Sequence, residues 1–252
     1  MRVLSSQSGR DRTVTKFFKK LSIILAVFSM GMTSAAGDDV GLTPHAAEYK
    51  VKISVLGGKL RTRVEAIEGG YRAESSIEAT GMSRIIAKGS IRESSVMRNT
   101  SDGLLPDRFV SVDTLSRRGE SADLKFDWDE RIASGLINGV NFTTSLDGNV
   151  HDRVSLQYGL MNDLMQGIQR GEYSLQDAEK LKVLSISNIG TKSVKVPYGR
   201  FDAVGIQHQA ANSSRATTLW CVEELGYLPV IIEQHRKGKR QMRAVLTRYA
   251  TL

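Results

Sequence analysis

The chain contains one cysteine and four prolines among 252 residues. A single cysteine excludes a framework of intrachain disulfides. Cys221 lies between Trp220 and Val222, so we expect a buried, unreactive thiol; an intermolecular disulfide is the alternative in an oxidising compartment. With so few prolines and no stretch rich in proline and serine, the sequence shows no linker between domains. The 23 glycines indicate many tight turns.

Motifs of known chemistry are also missing. The sequence has no phosphate-binding loop, no dinucleotide fingerprint and no Gly-x-Ser-x-Gly element. None of the four histidines shows the spacing of a metal site. We therefore predict no metal, no cofactor and no enzymatic activity. A pairing of His208 with Cys221 across neighbouring strands is an alternative, although structural roles are preferred for both residues.

No apolar run is long enough to cross a membrane. The longest, around Leu21–Met30, has about 12 residues, whereas a spanning helix needs roughly 20. Basic residues precede this run and the small residues of 33–36 follow it, which is the order typical of a secretory signal peptide. We predict a signal peptide over residues 1–36 that is cleaved after Ala36, with Ala35 as the near alternative and an uncleaved anchor as the other. No cysteine stands at the predicted cleavage site, where a lipid anchor would need one, so the predicted mature protein is periplasmic and not lipid-anchored.

Removal of this segment changes the charge. The full chain carries 35 basic and 27 acidic residues, a net +8. Residues 1–36 hold six of the basic residues and one acidic residue, so 35 − 6 = 29 and 27 − 1 = 26 leave a net +3. Residues 37–252 are predicted to form a single β-rich domain. Its balanced charge and the low aromatic content of 6% argue against a nucleic-acid partner.

Alternating apolar and polar residues predict a β-meander at the start of this domain. The runs are separated by Gly57-Gly58 and Gly69-Gly70, which are typical of hairpin turns. If both pairs form the turns, Val51 lies opposite Val64 on the inner face. The same register places Lys52 opposite Arg63 and Glu65 opposite Glu74, which are unfavourable like-charge pairs.

Further alternating segments predict a mainly β fold, an antiparallel curved sheet or half-open barrel wrapped on one α-helix. These segments are Lys88–Arg98, Phe109–Ser116, Ala122–Trp128, Lys182–Asn188, Phe201–Gln209, Arg215–Val222, Val230–Arg236 and Arg240–Tyr249. A period of three to four residues predicts the helix over Asp152–Arg170, capped by Asp152 and stopped by Gly171. A short turn is also expected around Met82–Ala87.

The apolar face of this helix is a candidate ligand site. It carries Tyr158, Met161, Leu164, Met165 and Ile168. Methionine adapts to varied apolar shapes, so in a half-open barrel this face could line a pocket for a lipid or acyl chain. The alternative is an ordinary helix–sheet core.

The strongest basic cluster outside the signal segment consists of Arg236, Lys237, Lys239 and Arg240. One interpretation is contact with lipid phosphates or another anionic polymer of the envelope. The other is a solvated hairpin tip whose charges protect a sheet edge.

Several segments together resemble exported bacterial proteins that contain the domain of unknown function numbered 3108. They are Ala47–Val51, Gly103–Pro106, Phe126–Trp128, Asp152–Leu156 and, above all, Leu219–Glu233. The resemblance covers roughly residues 46–250. It implies a periplasmic, β-rich fold, a half-open barrel on a helix that is somewhat like the lipoprotein-carrier fold. It supplies no activity and no catalytic residues, and Cys221 has no expected role in it.

Two functions remain open on these grounds. The first is a binding or carrier module for a hydrophobic, lipid-like ligand in the cell envelope. The second is a structural or adaptor protein that acts through its surface on an envelope partner. Whether the helix leaves an apolar cavity or fills it distinguishes them.

Overall fold

The computed structural model describes residues 41–116 and 119–252. The predicted signal peptide and its cleavage after Ala36 lie outside these residues. Fifteen strands from His45 to Thr251 form one sheet, in the order β8-β7-β6-β5-β4-β3-β2-β1-β15-β14-β13-β12-β11-β10-β9. The strands are β1 (His45–Ile53), β2 (Leu56–Ile67), β3 (Gly70–Ala79), β4 (Ser90–Thr100), β5 (Gly103–Asp113), β6 (Glu120–Asp127), β7 (Ile132–Ile137), β8 (Val140–Ser145), β9 (Val150–His151), β10 (Glu172–Asp177), β11 (Lys180–Val196), β12 (Gly199–Ala210), β13 (Arg215–Val222), β14 (Leu228–Arg236) and β15 (Lys239–Thr251).

The sheet is open, because β8 and β9 at its two ends do not pair with each other. All neighbouring strands are antiparallel except β9 and β10, which are parallel. The prediction of a mainly β fold on one curved antiparallel sheet is therefore confirmed. Strands β7, β8, β9 and β10 are not among the predicted segments. They have only two to six residues and lie at or near the two edges of the sheet.

The predicted register of the meander is wrong, although the inner face is right. The first turn lies at Ser54-Val55, so Val51 pairs with Gly58 rather than with Val64. Ser54 adopts a φ of 54°, which supplies the left-handed residue that the turn requires. The second turn is displaced by one residue, and Ile67 pairs with Gly70.

The observed register removes the like-charge pairs of the predicted one. Glu65 now lies opposite Arg72, and Arg63 lies opposite Glu74. In the first hairpin Lys52 faces Gly57 and no longer faces Arg63. Opposite-charge pairs across strands contribute roughly 0.2–1 kcal/mol each, and like charges cost similar amounts. The first hairpin also places Lys50 opposite Lys59, whose Nζ lies 3.4 Å from Glu48 Oε2. The charges of the second hairpin therefore favour the register that the structure adopts.

Two α-helices connect strands, α1 (Ser83–Ile86) between β3 and β4 and α2 (Ser155–Met165) between β9 and β10. Helix α2 lies on the inner face, nearest to β4, β5 and β9. Close packing requires a glycine at position 159 in the centre of α2, because a Cβ on Gly159 would lie 2.6 Å from Cε1 of His151. A larger side chain would push helix and strand apart.

Asp152 caps α2, as the sequence predicted. Its Oδ1 accepts the N–H groups of Val154 (2.7 Å) and Ser155 (2.8 Å). Its own N–H donates to Ser155 Oγ (2.8 Å), which completes a reciprocal capping box. Its Oδ2 accepts the hydroxyl of Ser95 on β4 at 2.7 Å, so the cap also ties the helix to the sheet.

The helix ends earlier than predicted, and Gly171 is not its stop. Gly167 adopts a φ of 69°. Its N–H donates to the Leu164 carbonyl (3.1 Å), and the N–H of Ile168 donates to the Asp163 carbonyl (2.8 Å). These two bonds form a Schellman motif, in which an apolar residue follows the left-handed glycine. Ile168 fits the helical spacing of apolar residues in the sequence, which is why the predicted helix includes it, although it lies beyond the end of α2.

Candidate functional site

The five residues predicted to line an apolar pocket are divided by the structure. Tyr158 and Met161 are each only 2% exposed and belong to the main core. Met165 is partly buried against that core. Leu164 and Ile168 instead line a separate, mainly apolar pocket of about 180 Å³ with Leu160, Tyr173, Ile186 and Ile206, and Gln169, Arg170 and Asn188 form its polar part. Ligand pockets typically have volumes of about 300–1,000 Å³, so this pocket is small.

The four basic residues of the predicted cluster lie at the hairpin between β14 and β15. The turn is formed by Lys237 and Gly238, which have φ angles of 50° and 74°. All four side chains are exposed. In the sequence this cluster stands alone, but β15 pairs with β1, and this pairing adds two further lysines.

A basic groove follows from that pairing. Lys52 lies opposite Arg243 in the β1–β15 register, and Lys50 lies on the same outer face. These residues and Arg240 line a groove of about 460 Å³. Among the residues that the structure describes, Glu233 is the one carboxylate that pairs with these cations, at 2.9 Å from Arg240 Nη1 and 3.5 Å from Arg243 Nε. The groove therefore keeps a positive excess.

Apolar side chains are exposed at the same end of the sheet. Val55, Met82, Ile85 and Ile86 are 89, 78, 67 and 76% exposed, which places them among the five most exposed large apolar residues that the structure describes. Val55 is in the β1–β2 turn, and the others are in or beside α1. We call these four residues and the basic groove of Lys50, Lys52, Arg240 and Arg243 the basic–apolar rim.

Two hydrogen bonds hold α1 against the β1–β2 hairpin. The N–H of Gly57 donates to Ser83 Oγ at 2.8 Å, and the N–H of Thr80 donates to the Gly57 carbonyl at 3.0 Å. The exposed Arg84 and Lys88 add two further cations beside the apolar residues. An apolar patch bordered by cations is typical of surfaces that bind anionic membranes.

Comparison with known proteins identifies the family. Residues 46–244 match the model of the family described as a protein of unknown function, DUF3108. The chain belongs to this family. The resemblance seen in the sequence is thereby confirmed, and no curated protein matches the chain.

Two solved structures are similar to this DUF3108 protein. A β-barrel-like protein of the domain of unknown function DUF1849 from Brucella abortus is 12% identical, with a TM-score of 0.57, and the match covers 84% of this chain and 99% of that chain. A protein with a YmcC-like fold from Bacteroides fragilis is 10% identical, covering 84% of this chain and 97% of that chain, with a TM-score of 0.37. The first shows a shared fold, and the TM-score of the second is too low to do so.

The DUF3108 chain does not bring His208 and Cys221 together as a pair. Cys221 lies opposite Val204, and His208 lies opposite Thr217. Cys221 is buried at 1% exposure, and burial raises the pKa of its thiol far above the usual value. Burial also lowers the pKa of His208 to about 4. Within residues 41–116 and 119–252, no helix is long and apolar enough to cross a membrane.

Only part of the basic–apolar rim of this DUF3108 protein can be predicted from its sequence. The sequence indicates the basic tip, but it does not show that Lys50 and Lys52 lie beside this tip, because that depends on the pairing of β1 with β15. The expected turn at Gly57-Gly58 would place Val55 within a strand, whereas the structure places it in the turn itself. The exposed apolar sequence around α1, three large residues within five positions, was the signal that could have indicated a surface patch.

Proposed function

We propose that this protein is a non-enzymatic protein of the cell envelope that docks on an anionic lipid surface through the basic–apolar rim. One observation carries the proposal, the juxtaposition of four exposed apolar side chains with a groove lined by four cations. The export pattern at the N-terminus supports a location at the envelope. The buried face of α2 also supports it, because Tyr158 and Met161 fill the core and leave the outer surface to bind.

The energetics of such docking are favourable. A Lys or Arg near an anionic bilayer contributes about 1 kcal/mol, and the apolar side chains gain further free energy by entering the headgroup layer. In the described part of the chain, neither Lys50 nor Lys52 makes an ion pair, so their charges are available to lipid phosphates.

Charge reversal at the rim tests this proposal. We expect Lys50→Glu/Lys52→Glu to weaken binding to phosphatidylglycerol-containing vesicles by about 30-fold or more, since the loss of two contributions of about 1 kcal/mol each is a lower bound. Co-sedimentation at low and high salt measures the partition coefficient, and the wild-type affinity should fall as salt rises.

Arg72→Glu/Lys125→Glu is the matched control. Both residues are exposed on the outer face, near the other ends of their strands, and the change in net charge is the same. The control should lose much less affinity than the rim variant. Equal losses of affinity in the two variants would show that net charge alone governs binding and would contradict docking through the rim.

A carrier of a hydrophobic ligand is the second candidate, and the apolar pocket at Leu164 and Ile168 favours it. The pocket is smaller than most ligand sites, so a bound chain would need α2 or the loop after it to move. Titration of vesicle-free protein with a fluorescent fatty acid separates the two functions, because only a carrier takes up the chain without a bilayer.

A further inference from the structure

A polar pocket of about 260 Å³ lies between α2, the β4–β5 turn and β10, and none of the functions considered above uses it. The side chains of His151, Asp163 and Tyr173 line it and are 4, 3 and 5% exposed. Gly159 leaves one wall open, so the His151 ring packs directly on the helix backbone. Polar groups this deeply buried are expected to be hydrogen-bonded.

Asp163 and Arg170 form the fixed part of the pocket. Asp163 Oδ2 accepts hydrogen bonds from Arg170 Nε (2.6 Å) and from the Tyr173 hydroxyl (2.5 Å). Arg170 Nη2 donates to the carbonyl of Asp102 at 2.7 Å, and Asn149 Nδ2 donates to the same carbonyl at 3.3 Å. The charge of Arg170 is thus neutralised, and the β4–β5 turn is held over the pocket.

His151 has one buried ring nitrogen, Nδ1, that makes no hydrogen bond among the described residues. Burial, together with the nearby charge of Arg170, lowers the pKa of His151 to about 4. The imidazole is therefore neutral at pH 7, and in the tautomer that carries the proton on Nε2 its Nδ1 accepts a hydrogen bond.

The mouth of the pocket is acidic. Asp102 and Glu172 line it, are exposed, and make no ion pair in the part of the chain that the structure describes. Three carboxylates against one guanidinium give a formal charge of about −2 at neutral pH. At about 30 Å³ for each water-sized group, the volume admits a molecule of about eight non-hydrogen atoms.

We propose that this pocket binds the primary ammonium group of a small organic cation. The ammonium group enters past Asp102 and Glu172 and donates to Nδ1 of His151, so that a buried acceptor without a partner gains one. A lipid or a free metabolite could carry this group, and both would present the same chemistry. This site is separate from the basic–apolar rim, which binds the opposite charge.

NMR titration of the folded protein with ethanolamine tests the proposal, with ethylene glycol as a neutral molecule of similar size. We expect saturable shifts of the His151 ring nitrogens and of the amides of Asp102 and Glu172 with ethanolamine and none with ethylene glycol. Asp102→Asn/Glu172→Gln should weaken binding at least tenfold, while Asp129→Asn/Glu130→Gln, an exposed pair in another turn, should leave it unchanged.

Glycerophosphoethanolamine distinguishes the sources. Saturable binding of this headgroup would assign the ammonium to a lipid, and its exclusion beside ethanolamine binding would assign it to a free amine; either result supports the site. The proposal is overturned if ethanolamine leaves the His151 ring unshifted, if ethylene glycol acts equally, or if the double carboxamide variant binds like wild type with an otherwise native spectrum.

Discussion

Arg153→Met is expected to lower the free energy of unfolding by about 3 kcal/mol, in the range found when a buried ion pair loses one partner. Arg153 follows the helix cap, and its Nε lies 2.7 Å from Glu93 Oε1. Its Nη1 lies 2.9 Å from Glu120 and 3.3 Å from Asp177. One guanidinium therefore joins α2 to β4, β6 and β10, and its removal leaves three carboxylates close together.

The burial of this network is what makes the effect large. The Arg153 side chain is 26% exposed and that of Glu93 is 14% exposed. Its guanidinium also lies 5.5 Å from the centroid of the Phe109 ring and donates to Ser111 Oγ at 2.9 Å. Methionine replaces the apolar stem but none of these polar contacts, so Glu93 and Glu120 lose their counter-charge, whereas Asp177 keeps its ion pair with Lys182.

Arg108→Met is the matched control. Arg108 pairs with Asp123 through two hydrogen bonds of 3.0 and 2.8 Å, yet this pair is exposed on the outer face. Exposed ion pairs contribute little, so the control should unfold close to wild type in urea. Similar losses in the two variants would contradict the assignment of Arg153 as the residue that joins α2 to the sheet.

Asp152 gives the second large expectation, a change of stability with pH. Burial raises the pKa of Asp152 from 3.8 to about 6, although hydrogen bonds from Ser95, Ser155 and Val154 favour the carboxylate. The folded state therefore binds this proton more tightly than the unfolded state does. The contribution to stability is present below about pH 4 and is lost as pH rises through 6, about 3 kcal/mol in total at 1.36 kcal/mol per pKa unit.

Asp152→Asn isolates this contribution. An asparagine Oδ1 can still accept the two N–H groups of the capping box, and its amide can donate to Ser95 Oγ. We expect the stability of the variant relative to wild type to rise by about 3 kcal/mol between pH 4 and pH 7.5. Urea unfolding at the two pH values measures this double difference, and a constant difference would contradict the raised pKa.

The comparison must be made against wild type because His151 has the opposite effect. Its pKa is lowered from 6.5 to about 4, so its contribution is present above pH 6.5 and is lost as pH falls. His208 is shifted in the same direction by burial. The pH dependence of wild-type stability therefore combines opposing contributions from Asp152 and from the two histidines. The contributions of the histidines are common to both proteins and cancel in the difference between them.

The sequence allowed the faces of the strands to be predicted but not their register. Alternation places Val51 and Val64 on the inner face, where each is less than 5% exposed. The turn could not be located by glycine alone, because Ser54 adopts the left-handed conformation at the observed turn. The two like-charge pairs of the predicted register were evidence against that register, and neither pair occurs in the structure.

The site was harder to predict than the fold because it depends on contacts between distant segments. The cap of α2 is local and was recognised at Asp152. The basic groove needs the pairing of β1 with β15, which are nearly 200 positions apart in the chain. The pocket at His151 needs the β4–β5 turn to lie over α2, and no periodicity in the sequence indicates such a contact.

The depth of the rim in a bilayer is the most direct measure of the central claim. An environment-sensitive dye on Ile86→Cys reports the apolar part of the rim, and the same dye on Ser101→Cys in the β4–β5 turn reports the other end of the sheet; Cys221 is too buried to be labelled. With phosphatidylglycerol vesicles we expect a blue shift, and quenching by lipid-bound nitroxides, at Ile86 only, and no change with neutral vesicles. An unchanged Ile86 signal on anionic vesicles, or equal changes at both positions, would contradict membrane docking through the rim.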